Sequence, residues 1–234
     1  MLLARCAEVG AEVIREGMEF GLISRTPAVG GQVLRLETAE GPLGDLVLPL
    51  FGAHMAHNAA LAVAAAEAFL GGKPLPAEVI AEGLEQVRAP ARLEIVRRSP
   101  TVVLDTCHNP HGARATIDGI TEAFDFQPLV GVVAMMGDKD VTGVLSVFAE
   151  AMTTVVCTSI ASTSRALPAS ELGERAAEIF GAERVRVAPT MAEAIDEAVR
   201  LADESGPGAG VLIAGSVYAA GEARALLVHG AEES

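Results

Sequence analysis

Apolar positions change their spacing twice along the chain. Across residues 1–17, Leu3, Ala7, Val9, Val13 and Ile14 fall near one helical face, which predicts an N-terminal helix. Three short runs follow, MEFGLIS, QVLRLET and DLVLPL, split by Gly/Pro turns at 27–31 and 41–44, and these predict strands. GAHMAHNAALAVAAAEAFLGG then reads as a helix stopped by Gly71 and Gly72, with PAEVIAEGLEQV as a second helix. The proline-containing RAPAR at 88–92 is the candidate hinge.

From Leu93 onward β-branched runs alternate with helical ones. Strands are expected at 94–96, 101–104, 129–134, 153–158, 184–187 and 210–214, and helices at 110–124, 141–150, 169–180, 191–203 and 217–227. Continuous apolar strands separated by helices predict an α/β, doubly wound, mostly parallel sheet with helices on both faces. There is no internal repeat, and the final GAEES reads as a solvated end.

Half the residues are hydrophobic but only 3% are aromatic, so the core must be built from Ala, Val, Leu and Ile. Lys plus Arg number 17 against 31 Asp plus Glu, a net charge of -14. That surface argues against nucleic-acid and membrane partners. Cys6, Cys107 and Cys157 show no CxxC spacing, no apolar run approaches about 18 residues, and the N-terminus lacks a signal-peptide pattern. The expectation is a reduced, cytoplasmic, monomeric protein with small-molecule partners.

Chemistry concentrates in VVLDTCHNPHGARAT, where Asp105, His108, Asn109 and His111 lie within seven residues of an apolar run. Ligands of parallel sheets sit outside the carboxyl ends of the strands, which is where Asp105 falls. Asn109 suits an N-cap and Pro110 the first helical position, and a helix N-terminus favours an anion. From the residues alone four readings stand: a metal site of Asp105, His108 and His111; a Cys107–His108 nucleophile pair; a capped polar turn; or a nucleotide or substrate site. His54 and His57 read as a satisfied helix-end pair.

LDTCHNPHGAR resembles the D-x-A-H-N-P segment of the Mur ligase superfamily, in particular folylpolyglutamate synthase/dihydrofolate synthase. LPLFGAHMAHNAALAVAAAEAFLG, ARLEIV, MGDKD and IAGSVYAAGEAR resemble further pieces of that family in the same order. The resemblance implies ATP-dependent addition of glutamate to a folate or pteroate through an acyl phosphate, with ATP and Mg2+ as cofactors. It implies that residues 1–91 are the C-terminal part of a central ATP-binding domain and 92–234 a C-terminal glutamate-ligase domain. Residue by residue, it places Asn58 at adenine, Arg92 at the terminal phosphate, Asp105 at the ribose and His108 near the incoming glutamate, with Arg92 and His108 catalytic. Ser216 is a further candidate for the substrate pocket, and equally an N-cap; no metal ligand is assigned.

Ala91 replaces the usual glycine, read as a mild change, and Thr106 and Cys107 replace smaller residues. The family's P-loop, G-x-x-x-x-G-K-[ST], is missing, since neither Lys73 nor Lys139 has its context. The expectation is therefore a chain without the family's N-terminal half and inactive alone. The alternatives are a non-catalytic α/β nucleotide- or partner-binding module, or a ligase for peptidoglycan precursors.

Overall fold

The computed structural model describes residues 2–229, with the His229 side chain left aside; the GAEES end lies outside the described residues. The chain divides into two compact units, residues 1–88 and 89–234, and the division falls within RAPAR.

In the first unit, helix α1 spans Leu2–Val9 and buries none of its residues. The expected seventeen-residue helix stops there because Gly10 takes φ 67°, a left-handed conformation that glycine adopts freely. Strands β1 (Gly21–Ala28), β2 (Gly31–Thr38) and β3 (Gly41–Leu48) form an antiparallel meander. Thr38 pairs with Gly41, so the second turn is Ala39–Glu40 and not 41–44. Helix α2 (Ala53–Phe69) buries Ala56, Ala59, Ala60, Val63 and Ala64, a stripe at helical spacing that needs only small side chains to sit on β1 and β2. Helix α3 (Ala77–Glu85) packs Ile80 and Leu84 inward beside β3.

The second unit holds β4 (Arg92–Arg98), β5 (Thr101–Asp105), α4 (Pro110–Ala123), β6 (Leu129–Val133), α5 (Val141–Ala149) and β7 (Thr154–Cys157). It continues with α6 (Ala169–Phe180), β8 (Val185–Val187), α7 (Met191–Ser205), β9 (Gly210–Ala214) and α8 (Val217–Arg224), which ends in a π turn at Ala225–His229. The sheet order is β4-β5-β9-β6-β7-β8. Every pair is parallel except β4–β5, an antiparallel edge that the apolar pattern does not reveal.

Strand alternation sorts the core into two layers. Val102, Leu104, Val130, Val132, Val156, Val211 and Ile213 cluster with Met191, Ala194, Ile195 and Ala198 of α7 and Ala219, Ala220 and Ala223 of α8. The intervening Val103, Val133, Val155 and Leu212 are equally buried, and point to the face where α4, α5 and α6 pack in succession. Alanine stripes on α7 and α8 let those helices approach closely, which is how an aromatic-poor chain closes a dense core. The last parallel strand, β9, is inserted between β5 and β6; α4 and α5, which follow β5 and β6, share one face, and α8, which follows β9, lies on the other. The carboxyl ends of β5, β9 and β6 therefore flank the topological switch, where α/β sheets hold ligands.

Candidate functional site

Asp105 ends β5 and is only 2% exposed. Its Oδ1 accepts the Cys107 amide at 2.8 Å and the Thr116 hydroxyl at 2.9 Å, and its Oδ2 accepts the Leu93 amide at 3.1 Å. One carboxylate thus ties the start of β4, the turn after β5 and the body of α4 together. A carboxylate offers about four lone-pair directions, and the buried Cys107 side chain also reaches this one.

Beyond it, His108 is half-buried and its Nδ1–H donates to the Thr106 carbonyl at 3.1 Å, leaving Nε2 as an acceptor. Asn109 caps α4 as its sequence suggests, with Oδ1 accepting the Gly112 amide at 2.8 Å, and Pro110 opens the helix. The Ala113 amide goes to the Asn109 carbonyl at 2.9 Å, so the His111 amide is the first-turn donor left without an acceptor among the described residues. It points the positive end of α4 toward solvent at the sheet's carboxyl edge.

At the neighbouring strand end, Gly215 has φ 109° and donates its amide to the Cys107 carbonyl at 3.1 Å. A Cβ there would lie 2.7 Å from the Ala134 carbonyl, so only glycine lets β9 close against β6. Ser216 is 3% exposed and caps α8, its Oγ accepting the Tyr218 amide at 3.2 Å. That supports the capping side of its dual reading, while the hydroxyl proton stays available. Met135 and Met136 are core. In MGDKD, Asp138 pairs with Arg165 at 2.5 Å and Asp140 caps α5.

Arg92 opens β4 as the register partner of Asp105. Its amide donates to the Ala89 carbonyl at 3.2 Å, but its side chain is exposed and its guanidinium makes no hydrogen bond or ion pair among the described residues, although the chain is strongly acidic. Its neighbours Ala91 and Leu93 are buried and both left-handed, at φ 54° and φ 48°. The alanine at 91 is therefore not a mild change. It holds a conformation that costs a residue with a Cβ about 1–2 kcal/mol and glycine almost nothing.

Asn58 lies on α2 in the first unit. It is exposed, with Nδ2 donating weakly to Met55 Sδ at 3.8 Å, so it is no buried core polar group. His57 is paired with Glu16 through Nδ1.

The nucleophile-pair reading fails on chemistry, while Asp105 and His108 are held within the turn by hydrogen bonds. Burial, then the Asp105 charge, pushes the Cys107 thiol up to about 12, so it is no nucleophile near neutrality. Thr116, Glu94 and Arg224 lie inside the segments VVLDTCHNPHGARAT, ARLEIV and IAGSVYAAGEAR, but the sequence assigned none of them a role, because their partners are fixed only by the fold. The buried Thr106 and Thr158 hydroxyls lack partners among the described residues.

This fold and edge define an α/β domain with an anion-receptive helix end and a free arginine at its topological switch. The Mur ligase, glutamate ligase domain, matches residues 91–217, and the chain belongs to that family. It is 42% identical to the dihydrofolate synthase/folylpolyglutamate synthase of Mycobacterium tuberculosis over 97% of this chain and 49% of that protein. The folylpolyglutamate synthase of Lacticaseibacillus casei is 28% identical over 98% of this chain and 51% of its own. Among solved structures, Mycobacterium tuberculosis folylpolyglutamate synthase complexed with ADP superposes with a TM-score of 0.92 at 43% identity, over 97% of this chain and 51% of that one. The Escherichia coli enzyme in complex with DHPP and ADP gives 0.80 at 26% identity, over 100% of this chain and 51% of that one. The chain spans about half the length of the curated relatives it matches.

Proposed function

We propose that this chain supplies the glutamate-joining part of an ATP-dependent ligase that extends a folate or pteroate carboxylate. The observation that carries the reading is Arg92, an exposed and unpaired guanidinium on the strand beside Asp105, at the same sheet edge as the open N-terminus of α4. In the reaction a carboxylate oxygen attacks the terminal phosphorus of ATP and releases ADP. The glutamate amine then attacks the acyl carbon, loses a proton and releases phosphate. Both steps build negative charge on phosphoryl oxygens, where fixed donors are most effective.

Arg92 meets the terminal phosphate with a fork of donors, and the His111 amide adds one more. Asp105 is the ribose candidate that the family resemblance gives. His108 keeps Nε2 for a hydrogen of the incoming ammonium group. Asn58, within the first unit, is the adenine candidate that the family resemblance gives, and Ser216 serves the glutamate pocket through its hydroxyl proton. Mg2+ would accompany ATP and offset charge on its phosphates, and no step here runs through it. Residues 1–91 act as part of the ATP-binding domain and 92–234 as the ligase domain, in a cytoplasmic monomer. The names of the relatives and the ADP in their structures support the nucleotide and folate assignments.

Ligation is the test. With ATP, a chain extended N-terminally by a P-loop domain of this family should join glutamate to a folate or pteroate carboxylate in an amide bond, with ADP and phosphate released in equal amounts. ADP release with no glutamate joined to the folate or pteroate would contradict the proposal.

A further inference from the structure

We propose that Glu94 and Arg224 are positioning residues for Arg92, acting as a latch on the strained turn that presents it; this rests on the reading of Arg92 as a phosphate contact. Two consecutive-but-one residues without glycine's freedom, Ala91 at φ 54° and Leu93 at φ 48°, flank the arginine. Such conformations persist only where the surroundings over-determine them, and they collect at functional sites. Here a carboxylate holds each one. Glu94 Oε2 accepts the Ala91 amide at 2.7 Å, and Asp105 Oδ2 accepts the Leu93 amide at 3.1 Å.

Glu94 is itself fixed from across the unit. Arg224, near the end of α8, donates Nε to Glu94 Oε1 and Oε2 at 3.2 and 3.0 Å and Nη2 to Oε1 at 3.1 Å. The two side chains are 33% and 25% exposed, against 42–68% for both partners of most other ion pairs here, so this pair is screened less. Ala91 and Leu93 are 6% and 1% exposed and act as plugs on either side. With both neighbours pinned inward by carboxylates, Arg92 is the residue the turn directs outward. The register of β4 against β5 slips between Arg92 and Glu94, which places the latch at the irregular end of the strand.

The latch separates from a simple structural ion pair by its link to backbone strain. If Glu94 acts by holding Ala91 left-handed, glycine at 91 removes the need for it. The experiment titrates ATP into the isotope-labelled chain and follows the Arg92 Nε–Hε resonance, together with amide exchange at residue 91. Glu94→Ala should speed exchange at residue 91 at least about tenfold and weaken the ATP response of Arg92 about fivefold, because a pre-organised donor fork is lost. Arg224→Lys, a milder change that keeps the charge but not the fork, should weaken it about twofold to threefold. Adding Ala91→Gly to either variant should restore the ATP response to within about twofold of the unsubstituted chain, since glycine occupies the turn without strain. An Arg92 response unaffected by Glu94→Ala, or not restored by Ala91→Gly, overturns the latch. An Arg92 resonance that ignores ATP in the unsubstituted chain overturns the phosphate role itself, and the latch with it.

Discussion

Arg92 and Asp105 are register partners across the antiparallel β4–β5 edge, the first exposed and unpaired, the second 2% exposed and accepting three donors. The buried carboxylate fixes the turn, and the free cation faces outward from it. This division of labour leads to opposite mutational signatures. In a P-loop-extended chain, Arg92→Ala should lower glutamate-dependent ADP release by roughly tenfold to a thousandfold, as loss of transition-state charge stabilisation does. The fold should be untouched, because no partner is orphaned. Steady-state rates and thermal melts check the two halves.

Asp105→Ala should behave otherwise. It strands the Leu93 and Cys107 amides in the interior, while the Thr116 hydroxyl keeps the Gly112 carbonyl at 3.0 Å, and a buried unsatisfied donor costs about 1–3 kcal/mol. Denaturant unfolding should show a loss of at least ~2 kcal/mol in stability, alongside weaker ATP binding. His108→Ala should leave both stability and ATP affinity nearly intact and raise the glutamate concentration needed for ligation.

Glu94 makes stability depend on pH with a defined sign. Burial alone would push its carboxyl up, but the hydrogen bonds from Arg224 and the Ala91 amide, with the guanidinium charge, bring it below the usual glutamate range. A carboxyl lowered on folding contributes stability that is fully present above its unfolded value, about 4.3, and is lost as pH falls through the folded value. The melting temperature of Glu94→Gln should therefore lie below that of the parent by a constant amount from about pH 6 to 8. The gap should close as pH drops below about 4.

The cysteines should differ sharply in reactivity. Cys107 and Cys157 are 4% and 0% exposed, and burial pushes both thiols up to about 12, whereas Cys6 is partly exposed on α1. Alkylation of the native chain near pH 8 should label Cys6 alone, read by mass spectrometry. Rapid labelling of Cys107 would show that the turn after β5 is open.

Much of the second unit was legible because its signals are local. β-Branched runs mark the parallel strands, and Asn109-Pro110 announces the start of α4 through capping chemistry that needs no tertiary partner. Asp105 could be placed at a strand's carboxyl edge for the same reason. What escaped depends on distance or on backbone conformation. Glu94 and Arg224 are 130 positions apart, and the left-handed φ of Ala91 is invisible in an alanine. The antiparallel edge β4 carries arginines at both ends and no alternation that distinguishes it from a loop-flanked strand. At the N-terminus, apolar spacing ran on through Ile14, but Gly10 ended the helix first.

The central claim is that the carboxyl edge around β5 receives the phosphates of ATP. The most direct measurement is a titration of the isotope-labelled 234-residue chain with ATP, following backbone amides and the arginine Nε–Hε resonances. The account predicts weak, saturable binding, with a Kd on the order of 1 mM or about -4 kcal/mol, and shifts concentrated at Arg92 and from Cys107 through Gly112. Zinc should leave those resonances unmoved. Shifts that avoid both Arg92 and the first turn of α4, or tight zinc binding that disappears in both His108→Ala and His111→Ala, would contradict it.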